Sequence, residues 1–153
     1  MPIPRGEQII IPKTITPELL ATLDNLGHNH RIAVVDHSYD IPVGFHRRDV
    51  LELSNGSSPQ VAADILSVTP ADTEDSIVPM LPNENDPSEN FRAIEEFNKL
   101  IPSHGEALRC TYKGAVGFYA IVNSLQIPTT FIKTMDTRPY ACVTWLNGHV
   151  QNG

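Results

Sequence analysis

Cysteine is scarce, at two residues in 153, and Cys110 and Cys142 form no C-x-x-C pair. That spacing argues against a zinc site or a disulfide framework and for reduced, buried thiols. Positive charge is short as well, with 11 Lys and Arg against 18 Asp and Glu and a net charge of -7. Phosphate recognition needs clustered cations, so nucleic acid and anionic membranes drop out as partners. Long apolar runs are missing too. Met1 to Lys13 contains only Ile9-Ile10-Ile11, too brief for a signal h-region, and nothing approaches the roughly 20 apolar residues of a membrane span. A cytoplasmic protein that meets a soluble small molecule or another protein is the expectation. No nucleophile elbow, P-loop or dinucleotide fingerprint occurs, which removes the usual routes to covalent hydrolase, nucleotide and nicotinamide chemistry. Internal repeats and low-complexity tracts are also lacking.

What is present is enough apolar sequence for one domain over residues 1–153, since a chain of about 150 residues buries roughly 70% of its unfolded surface. Thr16-Pro17-Glu18 supplies an N-cap, a proline in the first turn and an acid near the positive end of the helix dipole. Leu19, Leu20, Leu23 and Leu26 follow at helical spacing, and Gly27 is the expected left-handed stop of a helix over residues 17–26. Ile32 to Val35 reads as a strand covered on both faces. From His37 to Ser58, Pro42, Gly44, Asn55 and Gly56 break the pattern into a polar loop holding His46, Arg47, Arg48 and Asp49.

A second helix is expected from Ser58-Pro59 to Pro70, and a strand over Ile77 to Leu81 that Pro79 would confine to an edge or a bulge. Asp86-Pro87-Ser88-Glu89 has the pattern of a capping box before a helix with Phe91, Ile94, Phe97 and Ile101 inward. Then come a strand (Ala107 to Tyr112), a turn (Gly114 to Gly117), a helix (Val116 to Leu125) and strands at Thr129 to Ile132 and Tyr140 to Leu146. Alternation of helix and strand favours a three-layer α/β/α sandwich with a mostly parallel sheet.

The chemistry gathers around Leu26-Gly27-His28-Asn29-His30 and Asp36. A histidine directly after a helix stop gains about 0.3–1 kcal/mol for its protonated form from the helix dipole, which suits a proton shuttle, although a surface histidine at a helix end looks the same. His28 and His30, with Asp36, His37 and His46 near in sequence, also permit a metal reading, but no distal ligand stands at a diagnostic spacing. Asp36 is either a turn cap or a ligand at the carboxyl end of a strand, where α/β sheets bind small molecules. Arg47 and Arg48 are solvated or functional, Tyr140 a strand residue or a contact, and Cys142 is a nucleophile only with a base that no motif identifies.

Ile15-Thr16-Pro17-Glu18-Leu19-Leu20, then Leu26-Gly27-His28 with Asp36 eight residues after the histidine, resembles the start of the ribose pyranase and fucose mutarotase family. Arg48, the helix from Pro59, Phe91-Arg92, Phe118-Tyr119, Arg138-Pro139-Tyr140-Ala141-Cys142 and Gly148 continue the likeness over residues 15–150. The resemblance implies a cofactor-free, metal-free enzyme that interconverts anomers or ring forms of a free aldose, with His28 as general acid/base. Asp36 would bind sugar hydroxyls or orient the histidine, and Arg48, Tyr119, Tyr140 and the residue at position 142 would bind the sugar, with Tyr112 or Lys113 in place of a basic or imidazole group, and Phe118, Tyr119 or Trp145 against its apolar face. Cys142 stands where the family has asparagine, which leaves a sugar-binding protein without turnover as the alternative. Fucose-type members are the nearer ones. Members assemble as decamers with sites near subunit boundaries, so a homo-oligomer in which a neighbour helps complete the site is implied.

Overall fold

A computed structural model of the chain describes residues 12–27, 30–41, 50–53, 55–69, 71, 76–81, 91–100, 109–110, 113–122, 127–138 and 140–148, without the side chains of 76, 81, 91–94, 109–110 and 113–116. The first helix, α1 (Pro17–Asp24), begins as its sequence dictates, with the Thr16 hydroxyl accepting from the Leu19 amide at 3.1 Å and proline in the first turn. It ends earlier than the leucine spacing suggests. Asn25 caps it in a right-handed conformation (φ -90°), with its side-chain amide donating to the Ala21 carbonyl at 2.9 Å. Gly27 is therefore not the left-handed stop; among the described glycines only Gly56 has a positive φ. Leu19 and Leu23 are buried while Leu20 is 39% exposed, so the apolar stripe is narrower than the four leucines imply.

The strand β1 (Arg31–Val35) is buried at every residue, and its alternation divides the core. Ile32 and Val34 face one side of the sheet, Ala33 and Val35 the other. A short strand, β2 (Val50–Glu52), falls within the stretch expected to be loop. The helix α2 (Ser58–Val68) starts beyond Ser57, whose hydroxyl accepts from the Gln60 amide at 3.3 Å. Then come β3 (Ser76–Leu81), α3 (Phe91–Leu100), β4 (Arg109–Cys110), β5 (Lys113–Gly114), α4 (Ala115–Val122), β6 (Thr129–Lys133) and β7 (Val143–Leu146). The turn expected over Gly114 to Gly117 is thus the end of β5 and the first turn of α4. Tyr140 to Cys142 precede β7 rather than belonging to it.

The sheet runs β2-β6-β1-β7-β3-β4, with β5 also on β3. The β1–β6, β2–β6, β3–β4 and β3–β5 ladders are parallel. β7 is antiparallel to both of its neighbours, so the sheet is mixed. Pro79 does not push β3 to an edge. The Met80 amide donates to the Cys142 carbonyl on the β7 side, and backbone groups alternate sides along a strand. The proline nitrogen therefore faces the other side, between the pairings to β4 and β5, where no ladder bond is lost. Leu19 and Leu23 of α1, Val61, Ala62 and Ile65 of α2, and Phe97 of α3 pack with Ile32, Val34, Ile132 and Trp145 on one face. Phe118 and Val122 of α4 pack with Ala33, Val35 and Phe131 on the other. Helices on both faces make the expected three-layer α/β/α architecture.

The Asp86–Glu89 capping pattern, Pro70, Pro102, Ile101 and Leu125 lie outside the described residues.

Candidate functional site

The parallel strands β1 and β6 end together, and the segments leaving them build a polar rim. Thr134 follows β6, its amide and hydroxyl both donating to the Val35 carbonyl. Asp136 is buried, and its carboxylate accepts from the Ser58 amide at 3.0 Å, from the Arg138 amide at 3.0 Å and from the Arg138 guanidinium at 2.9 and 2.7 Å. Arg138 also reaches Glu96 of α3 at 2.6 Å. Burial alone would raise the Asp136 carboxyl; the hydrogen bonds from Arg138 and Ser58 and the guanidinium charge outweigh it and hold it below the usual carboxylate value.

This clamp anchors the turn that follows. The Ala141 amide donates to the Arg138 carbonyl and the Cys142 amide to the Tyr140 carbonyl, and Tyr140 is held at φ 63°. A left-handed backbone at a bulky residue is costly, and such positions gather at functional sites.

Asp36 sits directly beyond β1, 5% exposed. One carboxylate oxygen accepts from the Ser38 amide and hydroxyl, both at 3.0 Å; the other accepts from the Cys142 thiol at 3.3 Å. Burial raises the Asp36 carboxyl above its ordinary value, and the bonds from Cys142 and Ser38 only partly offset this. Cys142 is a free thiol, pushed far up by burial and then by the Asp36 charge, which makes it a donor rather than a thiolate nucleophile. Asp36, Ser38, Tyr39, Met80, Tyr119, Tyr140 and Cys142 line a cleft of about 240 Å³. Its position outside the carboxyl end of β1 is where α/β sheets bind ligands, and it lies below the about 300–1,000 Å³ of drug-sized sites.

Four residues expected from the sequence therefore meet there: Asp36, Tyr119, Tyr140 and Cys142. Lys113 is in β5, which pairs with β3 at Met80, a residue of the cleft wall, but its side chain is not described. His28, Arg48 and Tyr112 lie outside the described residues. Phe118 and Trp145 are at most 1% exposed and unable to cover a ligand; Trp145 packs on the opposite face of the sheet. Ser38, Tyr39 and Met80 were not anticipated. Ser38 and Tyr39 are close to Asp36 in sequence, but only the tertiary structure turns them into the cleft.

The other end of β1 is also well defined. The Asn147 side-chain amide donates to the Leu26 and Gly27 carbonyls at 3.4 and 3.3 Å, the His30 amide donates to the Gly27 carbonyl, and the His30 ring bonds Thr130 at 2.9 Å. The helix before it ends at Asp24, so position 28 is four residues beyond the helix rather than directly after it. Gly27 and His30 flank that position, and His30 is separated from Asp36 by the five residues of β1, a rise of about 16 Å. A cavity of about 670 Å³ opens at this end between α1 and α2, lined by Leu20, Leu23, Leu26, Val68 and Asn147 among others. It is larger and more apolar; of its polar residues Asp24, Thr69 and Asn147, the Thr69 hydroxyl donates to the Asn147 side chain, whose amide donates to the Leu26 and Gly27 carbonyls. Among the described residues, no cluster of three or more His, Cys, Asp or Glu side chains is placed to hold a metal ion, and no helix is long and apolar enough to cross a membrane.

The profile of the RbsD / FucU transport protein family matches residues 10–150. No curated protein matches in sequence. Solved structures do match in fold. A fucose mutarotase from Streptococcus pneumoniae in complex with L-fucose is 25% identical with a TM-score of 0.72, over 92% of this chain and 98% of that one. FucU from Bifidobacterium longum is 22% identical with a TM-score of 0.69, over 92% and 99%. RbsD from Bacillus subtilis complexed with D-ribose is 17% identical with a TM-score of 0.65, over 90% and 95%.

Proposed function

The chain belongs to the RbsD / FucU transport protein family, and from that premise we propose that it is a monosaccharide mutarotase or pyranase, interconverting anomers or ring forms of a free aldose, with L-fucose-like sugars preferred to D-ribose. The observation that carries this reading is the cleft beyond β1, where a buried Asp36 carboxylate, gripped by Ser38 and Cys142, faces the same space as Tyr119 and Tyr140. A fixed acceptor among neutral hydroxyls suits a polyol. It does not suit an anion, which Asp36 would repel.

Ring opening needs one proton delivered to the ring oxygen and one taken from the anomeric hydroxyl, and closure reverses both transfers. Nothing covalent and no redox step is required. On this reading His28 carries one transfer, worth about 10²- to 10⁴-fold, water or a second polar group carries the other, and Asp36, Tyr119 and Tyr140 hold the sugar hydroxyls, with Arg48 and Tyr112 or Lys113 as further contacts. The described neighbours of position 28 lie at the opposite end of β1 from Asp36, so the reading calls for a homo-oligomer in which one copy brings His28 to the Asp36 cleft of another.

The test is proton NMR saturation transfer between the anomers of L-fucose and between the pyranose and furanose forms of D-ribose. Acceleration that falls at least 100-fold in His28→Ala is expected; a His28→Ala protein as fast as wild type refutes the assignment. The specific observation favouring a second reading, a sugar-binding protein without turnover, is that the Cys142 thiol is already spent on Asp36. Saturable aldose binding with no faster exchange would select it.

A further inference from the structure

Tyr39 is 5% exposed, and its hydroxyl is shielded from solvent with no hydrogen-bond partner among the described residues. The ring is held on three sides: stacked on Tyr119 (5.5 Å between centroids, 28° between planes), tilted against Phe131 (5.9 Å, 32°) and edge-on to Phe118 (6.3 Å, 77°). It lines the same cleft as Asp36, Tyr140 and Cys142. Buried hydroxyls nearly always find a partner, because an unpaired one forfeits its bonds to water with no return. With the ring wedged among three others, the hydroxyl cannot swing out to collect that partner from solvent.

The geometry points to Tyr39 as a further substrate-contacting residue, its hydroxyl pairing with one hydroxyl of a monosaccharide seated against Asp36. This inference rests on the aldose reading of the cleft. The chemistry narrows the ligand to a neutral polyol. Burial, and then the nearby Cys142, Tyr119 and Asp36 groups, push the phenol far above its ordinary value, so it stays neutral and offers both a donor and an acceptor, as a sugar hydroxyl requires. Tyr119, 36% exposed and stacked on the Tyr39 ring, is the side chain that a ligand entering from solvent displaces or covers. Tyr39 would then be specificity-determining, because a site with a buried hydroxyl awaiting a partner rejects a sugar that lacks the matching group.

Tyr39→Phe removes the hydroxyl and leaves the ring stack intact. Wild type and Y39F are compared by saturation-transfer exchange of L-fucose and D-ribose across sugar concentrations, and by thermal unfolding without sugar. The expected result is a KM raised about threefold to tenfold, as the loss of one neutral hydrogen bond requires, with an unchanged or higher Tm for the sugar-free variant. Equal KM values in an active wild type overturn the inference and leave the mutarotase reading standing. A lower Tm for sugar-free Y39F shows that the hydroxyl already has a partner in the free protein, and also overturns it. If wild type accelerates neither sugar, the mutarotase reading fails, and sugar binding by NMR titration decides: weaker binding to Y39F supports the contact, and equal or absent binding overturns it. In a series of monodeoxy sugars, the analogue lacking the hydroxyl that Tyr39 meets should treat wild type and Y39F alike; a full difference retained by every analogue refutes the contact.

Discussion

Asp136→Asn tests the clamp behind the cleft. The Asp136 carboxylate accepts four hydrogen bonds: one oxygen takes the Arg138 amide and Nε, the other the Ser58 amide and Arg138 Nη2. An asparagine keeps one oxygen and sets an NH2 group against two donors, so two bonds are lost and two donors face a third. Removing one partner of a buried ion pair costs about 3–5 kcal/mol. The Arg138 side chain is 24% exposed and keeps Glu96, so the cost falls to about 2–3 kcal/mol. For a domain of 153 residues, that is a Tm lower by roughly 4–12 °C, at 2–4 °C per kcal/mol. The pH dependence has a definite sign. The folded carboxyl lies below its ordinary value of 3.8, so the stability it contributes is present above that pH and is lost as the pH falls through the folded value. Urea unfolding of wild type and Asp136→Asn at pH 7, 5, 4 and 3 should therefore show a gap that is constant at the first two and narrows at the last two. A gap under 1 kcal/mol at pH 7, or one of equal size at pH 7 and pH 3 in folded samples, refutes the reasoning.

Two further outcomes follow from single contacts. Gly56→Ala should cost about 1–3 kcal/mol in urea unfolding, because φ is +92° there and an added Cβ meets Val61 Cγ2 at 2.9 Å and Thr14 Cγ2 at 3.0 Å; a variant as stable as wild type shows that this corner relaxes freely. Cys142→Ala removes a donor that lowers the Asp36 carboxyl, so NMR titration of the Asp36 carboxyl carbon should move upward, while Cys142→Ser, which keeps a donor, should remain at or below the wild-type value. An unchanged titration in Cys142→Ala means that the 3.3 Å contact carries no electrostatic weight.

The sequence by itself determined the elements whose causes are local. Thr16 and Pro17 start α1, the run Ile32 to Val35 is a strand because parallel strands buried on both faces need continuous apolar residues, and alternating helices and strands lead to three layers. The resemblance through Leu26-Gly27-His28, Asp36 and Tyr140 pointed to the family that the whole-chain profile bears out. Tertiary structure decided where neighbours override local preference. Gly27 does not end α1 in a left-handed turn; the Leu26 and Gly27 carbonyls instead accept from the Asn147 side chain, which comes from the far end of the chain. Pro79 lies inside the sheet because its missing N–H points between two short ladders, which pairing alone reveals. The antiparallel course of β7 follows the turn through Tyr140, which Asp136 and Arg138 tie to Ser58 of α2 and Glu96 of α3, and no periodicity encodes those partners. The cleft shows the same division. A carboxylate at a strand end is legible in sequence, but its grip by Cys142, 106 residues away, and the buried hydroxyl of Tyr39 exist only once three layers have packed around them, because burial is a property of the assembled neighbours and not of the residue.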